Sequence, residues 1–287
     1  MMYKGEKIFF HMVRILTFFS VAILTFIIFF IAKESIILFK QVSFIDFILG
    51  SHWNPTEIHP QVSIFPMILS TFYVSFVALI IVIPIGVGAS IFLSSVVDRK
   101  VRNMIKPAID LLAGIPSVIY GLMGLLVLVK FFEKHFYFPS GESVLVGGIL
   151  LSIMTLPYMI STCDESMVKI LERYKKSSDA LGISKWHMIR YLVLPSSKKS
   201  ILAGMILSFA RSMGETMAVM MVIGNSPIFP KLFGKAQTIP SLIALEMGGA
   251  EVDSIHYHAL FASGFVLMMI LFIVNMIFCF LRNYINE

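Results

Sequence analysis

The sequence is short of charge, with 14% Asp, Glu, Lys and Arg in 287 residues, where soluble domains carry about a quarter. That shortage excludes a polar-surfaced globular chain. Two cysteines, Cys163 and Cys279, cannot build a disulfide framework, and both fall near expected cytoplasmic ends of apolar segments, where thiols stay reduced. A nucleotide-binding loop of the form Gly-x4-Gly-Lys-Ser/Thr is missing. At Gly234-Lys235 the residue five before the glycine is Phe229 and the next after the lysine is Ala236. Low-complexity tracts and a convincing inverted repeat are missing too. What is present is hydrophobic bulk, 57% of residues, with a mean hydropathy of +0.88. The formal charge of +6 then reports which loops face the cytoplasm and does not point to nucleic acid.

A helix needs about 20 apolar residues to cross the hydrocarbon. Uncharged stretches of that order lie at 15–32, within 67–95, at 111–129, 143–163 and 259–281, and a sixth, at 201–224, is interrupted by charges. The first, preceded by Lys4, Lys7 and Arg14, superficially resembles a signal peptide. It ends at Lys33 without a small-residue cleavage site and reads as a retained helix. Lys and Arg number 4 in 96–110 and 8 in 164–200, against 2 in each of 33–66, 130–142 and 225–258. Positive-inside bias therefore expects both termini and the two basic loops in the cytoplasm, with six crossings in one integral-membrane domain over 1–287. The fold class is all-α. Pro84, Gly86, Gly88, Gly114, Pro116 and Pro157 punctuate the helices. Close packing explains them more simply than a cavity does.

Within the long basic loop, Met167, Ile170, Leu171, Tyr174 and Leu181 recur at helical spacing opposite Lys169, Arg173, Lys175 and Lys176. This predicts an amphipathic helix ended by Gly182, a second short helix over 185–191, and a turn back toward the membrane at Leu194-Pro195. Periodicity leaves two uses open: a docking element for a partner's groove or an interfacial helix on anionic lipid.

Spacing separates them. The run Lys176-Ser177-Ser178-Asp179-Ala180-Leu181-Gly182, followed after nine residues by Leu192-Val193-Leu194-Pro195, resembles the cytoplasmic signature of ABC importer permeases. The resemblance implies that Ser177, Ser178, Gly182, Leu192, Leu194 and Pro195 belong to the segment that docks into the ATPase subunit. The family usually has Glu where this chain has Lys176, so the docking role carries over without that salt bridge.

In the sixth segment Arg211 lies roughly 15 Å from residue 201 along a helix, near the middle of a layer about 30 Å thick. Each charge at that depth costs about 2.5 to 3.5 kcal/mol on insertion scales. Arg211 and Glu215 must therefore face protein or water. At i and i+4 they share a helical face and can pair. They are read as an anion site lining a pathway or as an internal ion pair that fixes packing.

The run Arg211-Ser212-Met213-Gly214-Glu215-Thr216-Met217-Ala218-Val219, continuing to Gly224-Asn225, is similar to the phosphate-importer permeases of the PstC type. So are Gly50-Ser51-His52-Trp53-Asn54-Pro55, the run from Leu112 through Gly114-Ile115-Pro116 to Gly121, Ile239-Pro240-Ser241-Leu242-Ile243-Ala244-Leu245-Glu246, and His256-Tyr257-His258-Ala259-Leu260-Phe261. The resemblance implies a MetI-like permease in the inner membrane, paired with a homologous permease of the PstA type. A dimeric ATPase of the PstB type would drive it with ATP and Mg, and an extracytoplasmic phosphate-binding protein of the PstS type would supply it. The chain itself is expected to need no cofactor and to catalyse no reaction. Arg211 would meet a phosphate oxyanion and Glu215 would orient it. A permease for sulfate or molybdate is the alternative. An intramembrane enzyme lacks a second acid-base group at the depth of Arg211 and Glu215. His256 and His258 suggest a metal, but no acidic or sulfur partner lies at ligand spacing. They, with Trp53 and Tyr257, are expected to be interfacial anchors in an outer loop, and the 19 Met adaptable packing volume.

Overall fold

The arrangement of the apolar runs in space comes from a computed structural model, which describes residues 4–136 and 140–284. Helix α1 (Lys4–Phe39) is long, and none of its most apolar stretch is buried within the chain. It continues past Lys33, where the sequence suggested an end, because Glu34 turns inward to His258 instead of facing lipid. A short helix α2 (Phe44–Leu49) and a hairpin of β1 (Trp53–Asn54) with β2 (Gln61–Val62) follow, paired antiparallel with Trp53 opposite Val62. This hairpin is the one departure from an all-helical chain among the described elements.

Helix α3 (Phe65–Ile91) begins with Pro66 in its first turn, where a missing N–H costs nothing. Pro84 sits inside it without breaking it, and it passes into a π-helical turn at Phe92–Val96. Helix α4 (Arg99–Ala113) is amphipathic with no buried residue. The chain then bends by 91° across Gly114-Ile115-Pro116 into α5 (Ser117–Met123), a π-helical stretch (Gly124–Val129) and α6 (Lys130–Phe136). The helix expected over 111–129 is therefore broken at this bend, and only the bent pair Arg99–Ala113 with Ser117–Phe136, taken together, counts as a third span. Residues 111–113 finish the amphipathic helix, because Pro116 cannot supply the backbone donor that would continue it.

Helix α7 (Val144–Ala180) is the central element. Its first half is packed against α3 so closely that a Cβ added at Gly148 would lie 2.4 Å from Val77 Cγ1. The glycines of α7 thus serve helix approach. Ser90 Oγ on α3 donates to the carbonyl of Ile160 on α7 at 3.2 Å, satisfying a polar group that lipid would not. Pro157 leaves α7 unbroken. After α8 (Lys185–Met188), a π-helical turn (Ile189–Val193) and α9 (Leu194–Ser196), the chain bends by 60° into α10 (Lys198–Met213). The return toward the membrane falls at Ser197, two residues beyond Pro195, which sits in the first turn of α9.

The sixth apolar segment is not one helix. Helix α10 stops at Met213, Gly214 caps it, and only a single turn, α11 (Met217–Met220), resumes before irregular backbone. Helices α12 (Ile239–Glu246) and α13 (Ile255–Tyr284) complete the order. Among the described residues four helices are long and apolar enough to cross a membrane, and up to six spans result if each bent pair counts as one.

Candidate functional site

The break after α10 places Arg211 and Glu215 on different elements. Glu215 is buried, and its Oε1 accepts from the backbone N–H of Ala218 at 3.4 Å, at the start of α11. A carboxylate there satisfies an orphan donor and complements the helix end. Arg211 is exposed in the last turn of α10, its guanidinium carbon 4.9 Å from the centroid of the Tyr158 ring on α7. The pairing expected from i,i+4 spacing does not form, because Gly214 interrupts the helix on which that spacing depends. Tyr158 is held by its hydroxyl, which donates to the carbonyl of Ala113 at 3.2 Å, at the bend between α4 and α5. Arg211 thus rests on an oriented aromatic face with no carboxylate or carbonyl acceptor among the described residues. Its N–H groups remain available to an anion.

The expected coupling segment forms as a helical hairpin. Helix α7 carries Ser177 and Ser178 in its last turn, and Gly182 ends it at φ +68°, the left-handed conformation that favours glycine. Ile183 N–H closes the turn on the Ser178 carbonyl at 3.0 Å. Ser184 then caps α8 by accepting from His187 N–H. Ser177 and Gly182 are exposed, Ser178 is buried, Leu192 and Leu194 are half-buried, and Pro195 is exposed. The serines and the Leu-Pro ending therefore hold the hairpin's shape as much as they present its surface. Its most exposed apolar side chains are Leu181, at 75% relative exposure, and Trp186, at 67%. Leu181 stands within the quoted motif run, yet neither residue was among the docking residues that the resemblance implied.

An ionic cluster holds α4 onto α7 just before this hairpin. Arg102 donates to Asp164 through Nε at 3.2 Å and Nη2 at 2.5 Å, and Lys106 Nζ lies 3.6 Å from Asp164 and 3.2 Å from Glu165. Ser161 Oγ donates to Asp110 at 2.7 Å. Sequence reasoning missed this cluster, since its partners stand far apart along the chain. Two adjacent acids, Asp164 and Glu165, directly after the apolar run 143–163 were the clue.

At the opposite end of the bundle, three blocks distant in sequence converge. Trp53 Nε1 donates to Glu246 Oε2 at 2.9 Å, and His256 Nε2 lies 2.8 Å from the same oxygen. Trp53 is buried with Phe47, Val62, Ile64, Met67, Leu242 and Leu260. His258 is also buried, 3.0 Å from Glu34. Trp53 and His258 are thus buried and His256 half-buried, each facing an acidic or apolar partner within the chain, and both histidines lie in the opening turns of α13 instead of a loop. Acidic partners absent from local spacing are supplied by α1 and α12.

The sequence profile described as "Binding-protein-dependent transport system inner membrane component" matches residues 83–286, from the second half of α3 through the coupling hairpin to the end of α13. The chain belongs to that family. It is an ABC importer permease, a multi-pass protein of the inner membrane. This permease is 34% identical over 247 residues to the "Probable ABC transporter permease protein YqgH" of Bacillus subtilis, with 86% of this chain and 80% of the relative covered. It is 35% identical over 257 residues to the "Phosphate transport system permease protein PstC" of Xylella fastidiosa, covering 83% and 78%. Its fold is that of a chain in the crystal structure of a bacterial ABC transporter involved in the import of the acidic polysaccharide alginate. The TM-score is 0.62 at 15% identity, over 98% of this permease and 100% of that chain. A permease's chemistry is passage and not bond making.

Proposed function

We propose that this permease carries inorganic phosphate in an ATP-driven importer. It would pair with a homologous permease of the PstA type, take phosphate from an extracytoplasmic binding protein of the PstS type, and be driven by a dimeric ATPase of the PstB type that uses ATP and Mg. The observation that carries the reading is the 35% identity, over most of both chains, to a phosphate transport system permease. The freely presented Arg211 supports it. A guanidinium matches two oxygens of a tetrahedral oxyanion at once, and the Tyr158 face orients it without neutralising its charge. Glu215 then acts as the residue that fixes the α10–α11 break and not as the direct partner of Arg211. The whole chain works as one membrane domain. At the coupling end, Leu181 and Trp186 enter the ATPase cleft, with Ser177, Ser178, Gly182, Leu192, Leu194 and Pro195 shaping the hairpin.

The test uses the complete transporter reconstituted in vesicles. Phosphate-loaded binding protein is expected to stimulate ATP hydrolysis, and sulfate is expected not to substitute. Stimulation by sulfate or molybdate instead would assign the permease to another oxyanion. In the same preparation Leu181→Asp with Trp186→Asp, both at exposed positions, should cut ATPase copurification by at least about tenfold. Burying two unpaired carboxylates in an apolar cleft costs several kcal/mol, and about 1.4 kcal/mol is a factor of ten. Undiminished copurification would remove the hairpin from the interface.

A further inference from the structure

Near the end of the bundle opposite the coupling hairpin, Glu34 of α1, Asp253 of the turn before α13 and His258 of α13 aim one ligand atom each at a common point. The three atoms lie within 4.8 Å of one another. Glu34 and His258 are more than nine-tenths buried. Glu34 Oε2 and His258 Nδ1 stand 3.0 Å apart, yet neither makes a hydrogen bond with acceptable geometry among the described residues. Two buried polar atoms facing each other in this way are costly unless something else satisfies both. Asp253 is exposed, so its carboxylate can close on the point from the solvent side.

We propose that Glu34, Asp253 and His258 form a binding site for a divalent cation of the zinc class. One imidazole and two carboxylates are a donor set that zinc accepts, at about 2.0 to 2.2 Å, with water in the fourth position. Calcium and magnesium prefer oxygen-only sets of six or more ligands, which three side chains including an imidazole do not provide. The cation compensates the carboxylate of Glu34 on the inner face of α1. It also ties α1 to the body of the permease. That helix is otherwise joined to α13 by apolar contacts such as Phe30 with Phe261, ring centroids 5.5 Å apart.

The rival is a plain imidazolium–carboxylate pair between His258 and Glu34 that binds no metal. The test takes the untagged full-length chain in detergent, strips it with a chelator and titrates it with zinc, reading metal per chain by mass spectrometry. Cobalt in place of zinc reports ligand geometry by absorption. About one tightly held zinc per chain is expected, with thermal unfolding moved upward by the metal. Asp253→Asn and His258→Asn should each weaken binding by at least about 100-fold, since loss of a residue that merely supports a ligand already costs about 10- to 100-fold. If His258→Asn fails to fold, the exposed Asp253→Asn still decides the matter. Failure of the wild-type chain to retain zinc, or equal binding by wild type and Asp253→Asn, would overturn the site.

Discussion

Arg211→Gln is expected to lower phosphate transport by about 10- to 100-fold in reconstituted vesicles while the complex still assembles. Hydrogen bonds to a charged group contribute about 1.5 to 3 kcal/mol, and about 1.4 kcal/mol is a factor of ten. Glutamine keeps a donor at reduced reach but removes the charge, so on the proposed reading the passing anion loses its counter-charge. Assembly should survive because Arg211 is exposed and holds no carboxylate whose burial depends on it. Arg211→Lys should restore only part of the rate, since an ammonium cannot offer the planar two-donor fork or stack on Tyr158 in the same way. Tyr158→Phe keeps the ring and removes the hydroxyl bond to Ala113, so its effect should be smaller than that of Arg211→Gln. Labelled phosphate uptake in vesicles of matched protein content reads all three. Wild-type rates for Arg211→Gln would show that the cation has no part in passage.

The second large effect is on stability. Asp164 is 1% exposed and is matched by the two-point contact from Arg102. Breaking a buried pair by removing one partner costs about 3 to 5 kcal/mol, because the remaining charge is left without compensation. Lys106, 3.6 Å from the same carboxylate, offsets part of this, which puts Arg102→Met near the low end, about 3 kcal/mol. The double variant Arg102→Met with Asp164→Leu should recover most of the loss, since the buried carboxylate is gone and Lys106 keeps Glu165 as its partner. Unfolding of the purified chain in detergent gives the comparison. A single variant as stable as wild type would mean that α4 is not anchored to α7 through this cluster. Because α7 runs on from Asp164 into the coupling hairpin, the same variant should also weaken ATP-driven transport.

The membrane class, the basic loops, the amphipathic end of α7 and its stop at Gly182 were legible in the sequence because each depends on local pattern. Charge scarcity, 3.6-residue periodicity and a glycine free to take φ +68° need no knowledge of distant residues. The short helices of this segment were legible for the same reason, although its exposed apolar tips, Leu181 and Trp186, emerged only with the hairpin geometry. The pairing of Arg211 with Glu215 was misread. Helical spacing presumes a continuous helix, and the short polar stretch Gly214-Glu215-Thr216 ends it. The break in the third apolar segment was missed because apolar count alone does not register the bend at Pro116. The far-end histidines were misread because two of their acids, Glu34 and Glu246, arrive from α1 and α12. Arg102 with Asp164 was invisible for the equivalent reason: long-range pairs leave no periodic trace along a single chain.

The central claim, that the cargo is phosphate, is tested most directly by uptake of labelled phosphate beside labelled sulfate. The cells should be depleted of this chain and of competing phosphate carriers, then complemented with the wild type at matched expression. The account predicts that depletion removes phosphate uptake alone and that the wild-type chain restores it. Phosphate uptake unchanged by depletion, or sulfate uptake lost in its place, would contradict it.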